Sequence, residues 1–347
     1  MRNGKKYTVI DLFAGAGGLS VGFENSGFKS LLALDFDKDS CLTYQKNFSD
    51  TKVICGDILH ISNDQLKKMV IDKVDVIIGG PPCQGFSALG KRIQTDPRNQ
   101  LWREYLRIVK IFKPRIWVIE NVPEILKSQE FLEIKILANE LGYKIDSKVL
   151  NAADYGVPQR RQRAVIVAVL KSKFVYPEET HVNVNKKDLF NTHKSNWVTV
   201  KDAFKGLSAK PDEKNLHTSR KATALSIERY RSIPPGGNRF NLPKNLQPNC
   251  WLNKPTGSTD VFGRLWWNQP SLTIRTEFYK PEKGRYLHPS ENRPITLREG
   301  ARLQTFPDTF EFVGSQTSVG RQIGNAVPCL LAQKIAESVK EYLDENY

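Results

Sequence analysis

The sequence is poor in the residues that staple or anchor a protein. Its 347 residues include five cysteines, at positions 41, 55, 83, 250 and 329, an odd number, widely spread and with no Cys-x-x-Cys or Cys/His pairing. That pattern argues against a disulfide framework or a zinc site and fits a reducing cytoplasm. Long apolar runs are missing too: a stretch such as Ala164-Val165-Ile166-Val167-Ala168-Val169-Leu170 is of strand length, far short of a membrane span. The amino terminus, Met1-Arg2-Asn3-Gly4-Lys5-Lys6, enters a strand almost at once, so no signal peptide is expected. Repeats and low-complexity tracts are absent.

Negative charge is also scarce. Against 52 Lys and Arg stand 37 Asp and Glu, a net charge of +15, and residues 181–300 alone carry 21 basic against 10 acidic side chains. The same segment holds Trp197, Trp251, Trp266 and Trp267 among many Asn, Gln, Pro and Gly. Scattered lysines by themselves describe a solvated surface. Interleaved with aromatics, they point to a polyanionic partner. With 39% hydrophobic and 26% charged residues, the chain is an ordinary globular protein with room for one large and one smaller domain.

From Tyr7 to about Leu170, short β-branched runs alternate with amphipathic stretches, the pattern of a parallel sheet covered by helices. Strands are expected at 7–12, 30–35, 52–55, 74–79, 115–120 and 163–170. Helices are expected at 18–26, 38–48, 63–71, 99–112, 123–141, 296–304 and 328–343. After about residue 175 the periodicity breaks into Pro, Gly and Asn clusters such as Pro234-Pro235-Gly236-Gly237-Asn238. The expected fold is therefore α/β: a doubly wound, mostly parallel sheet with a second, smaller, irregular domain.

Chemistry concentrates where these strands end, the ligand edge of an open α/β sheet. Gly79-Gly80-Pro81-Pro82-Cys83-Gln84-Gly85-Phe86-Ser87 follows the strand Val74–Ile78. A cysteine in apolar surroundings is most often a small buried hydrophobe. Two prolines before it and Gln84-Gly85 after it make a poor core but a stiff pedestal, and Cys83 reads as a nucleophile. Asp11-Leu12-Phe13-Ala14-Gly15-Ala16-Gly17-Gly18 leaves the first strand and opens a helix, where glycines let a backbone approach a cofactor. Asp35 closes the second strand and Asp57 follows the third. Each could cap a helix, but in series they describe a nucleoside pocket. Glu120 ends the strand Ile116–Ile119 as a proton donor at the ligand edge, with helix capping as its plainer alternative. In Gln159-Arg160-Arg161-Gln162-Arg163, Arg161 and Arg163 alternate onto one face of a strand, so one or both could enter the cleft of Cys83 and Glu120.

Six runs in order, Asp-Leu-Phe-Ala-Gly-x-Gly-Gly, Gly-Gly-Pro-Pro-Cys-Gln-Gly-Phe-Ser, Glu-Asn-Val, Gln-Arg-Arg-Gln-Arg, Arg298-Glu299-x-x-Arg302-Leu303-Gln304-x-Phe306-Pro307 and Gln322-Ile323-Gly324-Asn325-Ala326-Val327-Pro328, resemble the DNA (cytosine-5)-methyltransferases from residue 11 to residue 328. The resemblance implies that Cys83 adds to ring carbon 6 of a cytosine flipped out of duplex DNA, that Glu120 holds a proton near ring nitrogen 3, and that Arg163, with Arg161 beside it, holds the base carbonyl. It implies S-adenosylmethionine as cofactor, with Phe13, Ala14, Gly15, Gly17, Gly18, Asp35, Phe36, Asp57, Ile58, Pro82, Asn325 and Ala326 around it. Asp35 and Phe36 stand where the family usually has Glu and an aromatic.

The resemblance further implies a discontinuous catalytic domain of residues 1–178 and 319–347, and a target-recognition domain and hinge over 179–318. Gln84, Ser87, Lys91, Arg92 and Arg98 would meet DNA from the loop after Cys83, and Arg264, Thr273, Ile274, Arg275 and Arg285 from the recognition region, where Thr273-Ile274 matches a Thr-Leu-like dipeptide of the family. The implied partner is double-stranded DNA, with no membrane, and the expected setting is a monomer in the bacterial cytoplasm or nucleoid, either beside a cognate restriction endonuclease that acts separately or as an orphan methyltransferase, which would look the same. A tRNA cytosine-5 methyltransferase on the same scaffold and a catalytically inactive DNA-binding regulator are the alternatives. Gln84-Gly85-Phe86-Ser87 and the long basic region favour the DNA enzyme over the first, and Cys83, Glu120 and Arg163 argue against the second.

Overall fold

The structure is a computed structural model that describes residues 6–82, 101–186, 192–211, 215–253 and 256–347. The chain forms two compact units. One comprises residues 1–155, 162–180 and 326–347, the other residues 156–161 and 181–325.

The first unit is a seven-stranded sheet between helices. Its elements are β1 (Thr8–Leu12), α1 (Gly18–Asn25), β2 (Lys29–Asp35), α2 (Lys38–Asn47), β3 (Lys52–Cys55), α3 (Asn63–Met69), β4 (Val76–Gly79), α4 (Leu101–Phe112), β5 (Ile116–Asn121), α5 (Gln129–Glu140), β6 (Lys144–Asn151) and β7 (Gln162–Val169). The strand order is β3-β2-β1-β4-β5-β7-β6. β1 to β5 run parallel, while β7 lies antiparallel between β5 and β6. All the parallel strands therefore deliver their carboxyl ends to one edge, and β7 brings its amino end to that same edge.

Burial explains which strands were easy to read. β4 and β5 are buried along their whole length and consist almost entirely of Val, Ile and Trp until the sheet edge. β6, Lys-Ile-Asp-Ser-Lys-Val-Leu-Asn, was not anticipated. It is an outer strand with only Leu150 buried, and its lysines suit an unpaired edge better than a core. The single helix expected over 123–141 is interrupted. Pro123–Lys127 forms a tight 3-10 turn, and Ser128 then caps α5 by accepting from Phe131 N at 3.2 Å.

The core lies where α4 meets the sheet. Trp102, Tyr105, Leu106, Ile108 and Val109 form its buried stripe, and the Tyr105 ring meets Trp117 edge-on. The Tyr105 hydroxyl lies 2.9 Å from both Ile77 O and Val118 O, which satisfies it inside an apolar layer.

The second unit is largely irregular. Short helices α6 (Val200–Ala203), α7 (Ala224–Arg231) and α8 (Asn249–Leu252) are joined by turns, and α9 (Leu297–Leu303) and α10 (Gln316–Asn325) follow. α10 was missed because Gly320 and Gly324 depress its helical propensity; Ser315 compensates by holding Ser318 N and Val319 N at its start. A small apolar cluster of Tyr230, Ile233, Leu242, Leu246, Phe262 and Leu287 is supplemented by arginines turned inward. α11 (Cys329–Asn346) returns the chain to the first unit and packs on α1. Among the described residues no helix is long and apolar enough to cross a membrane.

Candidate active site

At the carboxyl edge of the first unit, β1 runs into a turn where Phe13 sits at φ 58°, rare for a residue with a Cβ. The turn is pinned by Ala14 N donating to Leu34 O at 3.0 Å and Gly17 N to Ala14 O at 2.9 Å. Gly17, at φ 93°, caps α1 in the left-handed region that glycine adopts freely. A Cβ on Gly18 would lie 2.5 Å from Val327 O and 3.2 Å from the Ala326 Cβ, so this glycine is required by the returning chain.

Asp35 organises the neighbouring turn. Its carboxylate accepts from Gly15 N at 2.8 Å and from Asp37 N at 2.9 Å. Burial pushes its pKa upward, and those two N–H groups oppose the shift. Phe36 beside it is 75% exposed, leaving a ring face open for stacking. Asp57 accepts from Leu59 N at 3.0 Å and so caps the short turn at Ile58, which is itself buried. Asn325 ends α10 exposed in the second unit, and Ala326 is half-buried in the first.

One acid of this edge was overlooked by sequence reasoning. Asp11 is 1% exposed; Ser20 Oγ donates to its Oδ2 at 2.7 Å, Tyr44 OH donates to Ser20 Oγ at 2.6 Å, and Oδ1 has no partner. The available signal was a carboxylate set inside the apolar run Thr-Val-Ile-Asp-Leu. Burial, opposed by the Ser20 bond and reinforced by the Asp35 charge, raises its pKa from 3.8 to about 7. The unfolded chain therefore releases this proton near its ordinary pKa while the native state holds it. The stability it contributes is complete below the unfolded value and is lost as pH rises through about 7. Asp11→Asn, which still accepts from Ser20, should abolish that decline. Urea unfolding of both proteins across this window should show the variant gaining on the parent by about 1.4 kcal/mol per pH unit; parallel curves would contradict a buried, protonated Asp11.

Next to this pocket lies the edge formed by β4, β5 and β7. β4 ends at Gly79 and the chain turns through Gly80, Pro81 and Pro82. Asn121 fixes that turn: its Nδ2 donates to Pro81 O at 2.9 Å and its Oδ1 accepts from Val122 N at 2.8 Å. Asn121 too was missed as a positioning residue. Glu120 emerges from β5 and Arg163 from β7, with Arg163 Nε 2.8 Å from Glu120 Oε1 and their side chains 15% and 10% exposed, respectively, for Arg163 and Glu120. The contact is an ion pair without aligned hydrogen-bond geometry, since Oε1 has no hydrogen-bond partner of its own. Glu120 Oε2 faces the turn, 3.4 Å from where a Cβ on Gly80 would lie. Cys83, Gln84, Ser87, Lys91, Arg92 and Arg98 lie outside the described residues.

The remaining motifs meet inside the second unit as one buried polar network. Gln159 donates to Leu303 O at 3.0 Å and to Gln304 Oε1 at 2.7 Å, and accepts from Ile274 N at 2.8 Å. Gln304 donates to Ile323 O at 2.7 Å. Arg161, expected at the catalytic centre, is buried at 2% exposure and donates to Ile274 O at 2.9 Å and Gly324 O at 3.1 Å. Its position therefore tells of scaffold: in a unit with few ladders, a five-donor fork satisfies carbonyls that no strand would.

The same correction applies to two arginines expected at DNA. Arg264 donates to Ile233 O, His288 O, Glu291 O and Tyr230 O, and Arg285 to Gly236 O, Gly237 O, Arg264 O and Thr259 O. Both are buried, and desolvation lowers the pKa of each. Ile274 is likewise buried, and Thr273 spends its hydroxyl on Arg160 O at 3.0 Å. Arg275 alone of this group is exposed.

Residues 7–341 match the family model of the C-5 cytosine-specific DNA methylases. Among curated relatives, the chain is 38% identical over 344 residues to the Type II methyltransferase M1.HphI of Haemophilus parahaemolyticus, covering 96% of this chain and 86% of that one. It is 35% identical over 376 residues to the Type II methyltransferase M.DdeI of Desulfomicrobium norvegicum, covering 97% and 89%. Among solved structures, a prophage-encoded Escherichia coli protein described as a DNA modification methyltransferase superposes with a TM-score of 0.74 at 29% identity over 98% of this chain and 100% of that one. With six motifs in order, a seven-stranded sheet carrying its acids at one edge, and a family match over nearly the whole length, the chain belongs to the C-5 cytosine-specific DNA methylases and is an enzyme that methylates carbon 5 of cytosine in DNA.

Proposed function

We propose that the chain is the modification enzyme of a Type II restriction-modification system, methylating one cytosine within a specific duplex sequence with S-adenosylmethionine. In this reading it works as a monomer in the bacterial cytoplasm, the cognate endonuclease acts separately, and the basic second unit reads the DNA. The observation that carries the proposal is the Glu120–Arg163 pair standing over the Asn121-held turn that leads directly into Cys83.

The cofactor edge fits the group it would hold. Asp35 retains lone pairs for ribose hydroxyls, Phe36 exposes a ring for the adenine, and the Phe13–Gly18 turn brings backbone close to where the amino-acid end would lie. When bound, S-adenosylmethionine supplies the electrophilic methyl group.

Cytosine carbon 5 is a weak nucleophile, and the protein must activate it. The Cys83 thiolate adds to carbon 6, and its electron pair passes through the ring to carbon 5. Glu120 donates a proton toward ring nitrogen 3 and accepts from the exocyclic amine, which offsets the charge the addition places on the ring. Arg163 binds the base carbonyl through the guanidinium donors that Glu120 and the Gln162 carbonyl leave open and, through Nε, keeps the Glu120 carboxylate in place. Once carbon 5 carries the methyl group, its proton leaves to a base or water, the sulfur is expelled as thiolate, and the proton at ring nitrogen 3 returns to Glu120, restoring the aromatic ring and the starting enzyme. The base must leave the stack to reach this edge, at a cost of a few kcal/mol.

Labelled S-adenosylmethionine offered with duplex DNA and with tRNA tests the substrate. Label should enter duplex DNA, and bisulfite sequencing should map it to one recurrent sequence. Label confined to tRNA, or spread over unrelated cytosines, would overturn the reading.

A further inference from the structure

We propose that Arg160 is a DNA-phosphate contact that positions the duplex for methylation; this rests on duplex DNA being the substrate. Its two neighbours in the Gln-Arg-Arg-Gln-Arg run that face the second unit, Gln159 and Arg161, are spent inside that unit. Arg160 differs. Its side chain is half-buried, its Nε is shielded from solvent with no hydrogen-bond partner, and no carboxylate pairs with it among the described residues.

The surroundings accentuate the unpaired charge. Arg285 is a like-charged neighbour whose guanidinium is already taken up by backbone carbonyls, pairs with Asp260 at 4.0 Å and stacks 4.2 Å above the Trp266 ring. An arginine left beside another cation, without an acid of its own among the described residues, offers its charge to an anion.

Its backbone is held on both sides. Arg160 N donates to Ser271 O at 2.8 Å, and Thr273 Oγ1 donates to Arg160 O at 3.0 Å. The fork is thus presented with little ordering cost on binding. A half-buried arginine stays close to the protein surface, where a DNA backbone would lie. Reading a base edge would require a side chain that stands out into a groove, so the ligand is a phosphate.

Arg160→Gln and Arg160→Met, the second keeping the aliphatic stem, should both fold, with melting temperatures within about 5 °C of the parent. Each should bind several unrelated short duplexes about tenfold more weakly than the parent, and equally so for all of them. The slope of log affinity against log salt should fall by about 0.9, the signature of one lost phosphate contact. Arg160→Lys should restore most of the slope. An unchanged slope, a loss confined to the methylated sequence, or a larger melting loss in both charge-removing variants would overturn the assignment, the last by making Arg160 a structural residue. Failure of the parent to bind duplex DNA would instead sink the substrate reading on which the proposal stands.

Discussion

Replacing Cys83 by alanine should lower methyl transfer by about four orders of magnitude or more, while duplex binding stays within a few-fold of the parent. Without the sulfur there is no addition at carbon 6, and carbon 5 lacks the electron density to attack a methyl donor. Among the described residues of this edge none can substitute: Glu120 and Arg163 are charge partners for the ring, and Asn121 is occupied with Pro81 O and Val122 N. Affinity should survive because the DNA contacts proposed for the second unit come from cations such as Arg160 and Arg275, not from the thiol. Single-turnover rates and duplex titrations on the same preparation separate the two quantities. A Cys83→Ala enzyme that still methylates within about tenfold of the parent would remove the covalent mechanism.

The second large effect belongs to Glu120. Glu120→Gln preserves shape and one acceptor but removes the proton donor, and kcat should fall by roughly two to four orders of magnitude with a smaller change in KM. Glu120 is also the only acid paired with Arg163 among the described residues, and both side chains are mostly buried. The neutral amide therefore leaves Arg163 less well held, and Arg163→Lys, which loses the planar fork, should reproduce part of the defect. If the two act as a unit, the double variant should be little slower than Glu120→Gln alone. Full additivity, or a Glu120→Gln enzyme with unaltered kcat, would show that the pair is merely structural.

The sequence made the catalytic edge legible because its residues are locally incongruous. An acid at the end of Ile-Trp-Val-Ile, a Pro-Pro turn before a cysteine and a Gly-rich exit from β1 all break the pattern that burial would dictate. Asp11 broke it too, but inside a strand, where one polar letter among apolar ones carries less weight than a motif.

The arginines were harder to read for a physical reason. A buried guanidinium that replaces missing ladder bonds and an exposed one that meets DNA are the same letter, and only the surrounding carbonyls tell them apart. Arg161, Arg264 and Arg285 have those carbonyls; among the described residues none accepts from the Arg160 guanidinium, and its Nε is unpartnered. For the same reason, the basic count over residues 181–300 overstates the charge available to DNA, because part of it is structural. β6 escaped notice because an outer strand need not alternate cleanly, and α10 because its glycines are demanded by close packing. A Cβ on Gly324 would come within 2.4 Å of the Arg275 backbone.

The most direct test of a covalent cytosine methyltransferase is to incubate the enzyme and S-adenosylmethionine with a duplex carrying 5-fluorocytosine at the methylated position. Fluorine at carbon 5 cannot leave as the proton does, so the sulfur cannot be expelled after methyl transfer. Mass spectrometry of the digested complex should find the modified nucleotide on the peptide containing Cys83, and Cys83→Ala should yield none. An adduct on Cys41, Cys55, Cys250 or Cys329, or methylation without any trapped complex, would contradict the account.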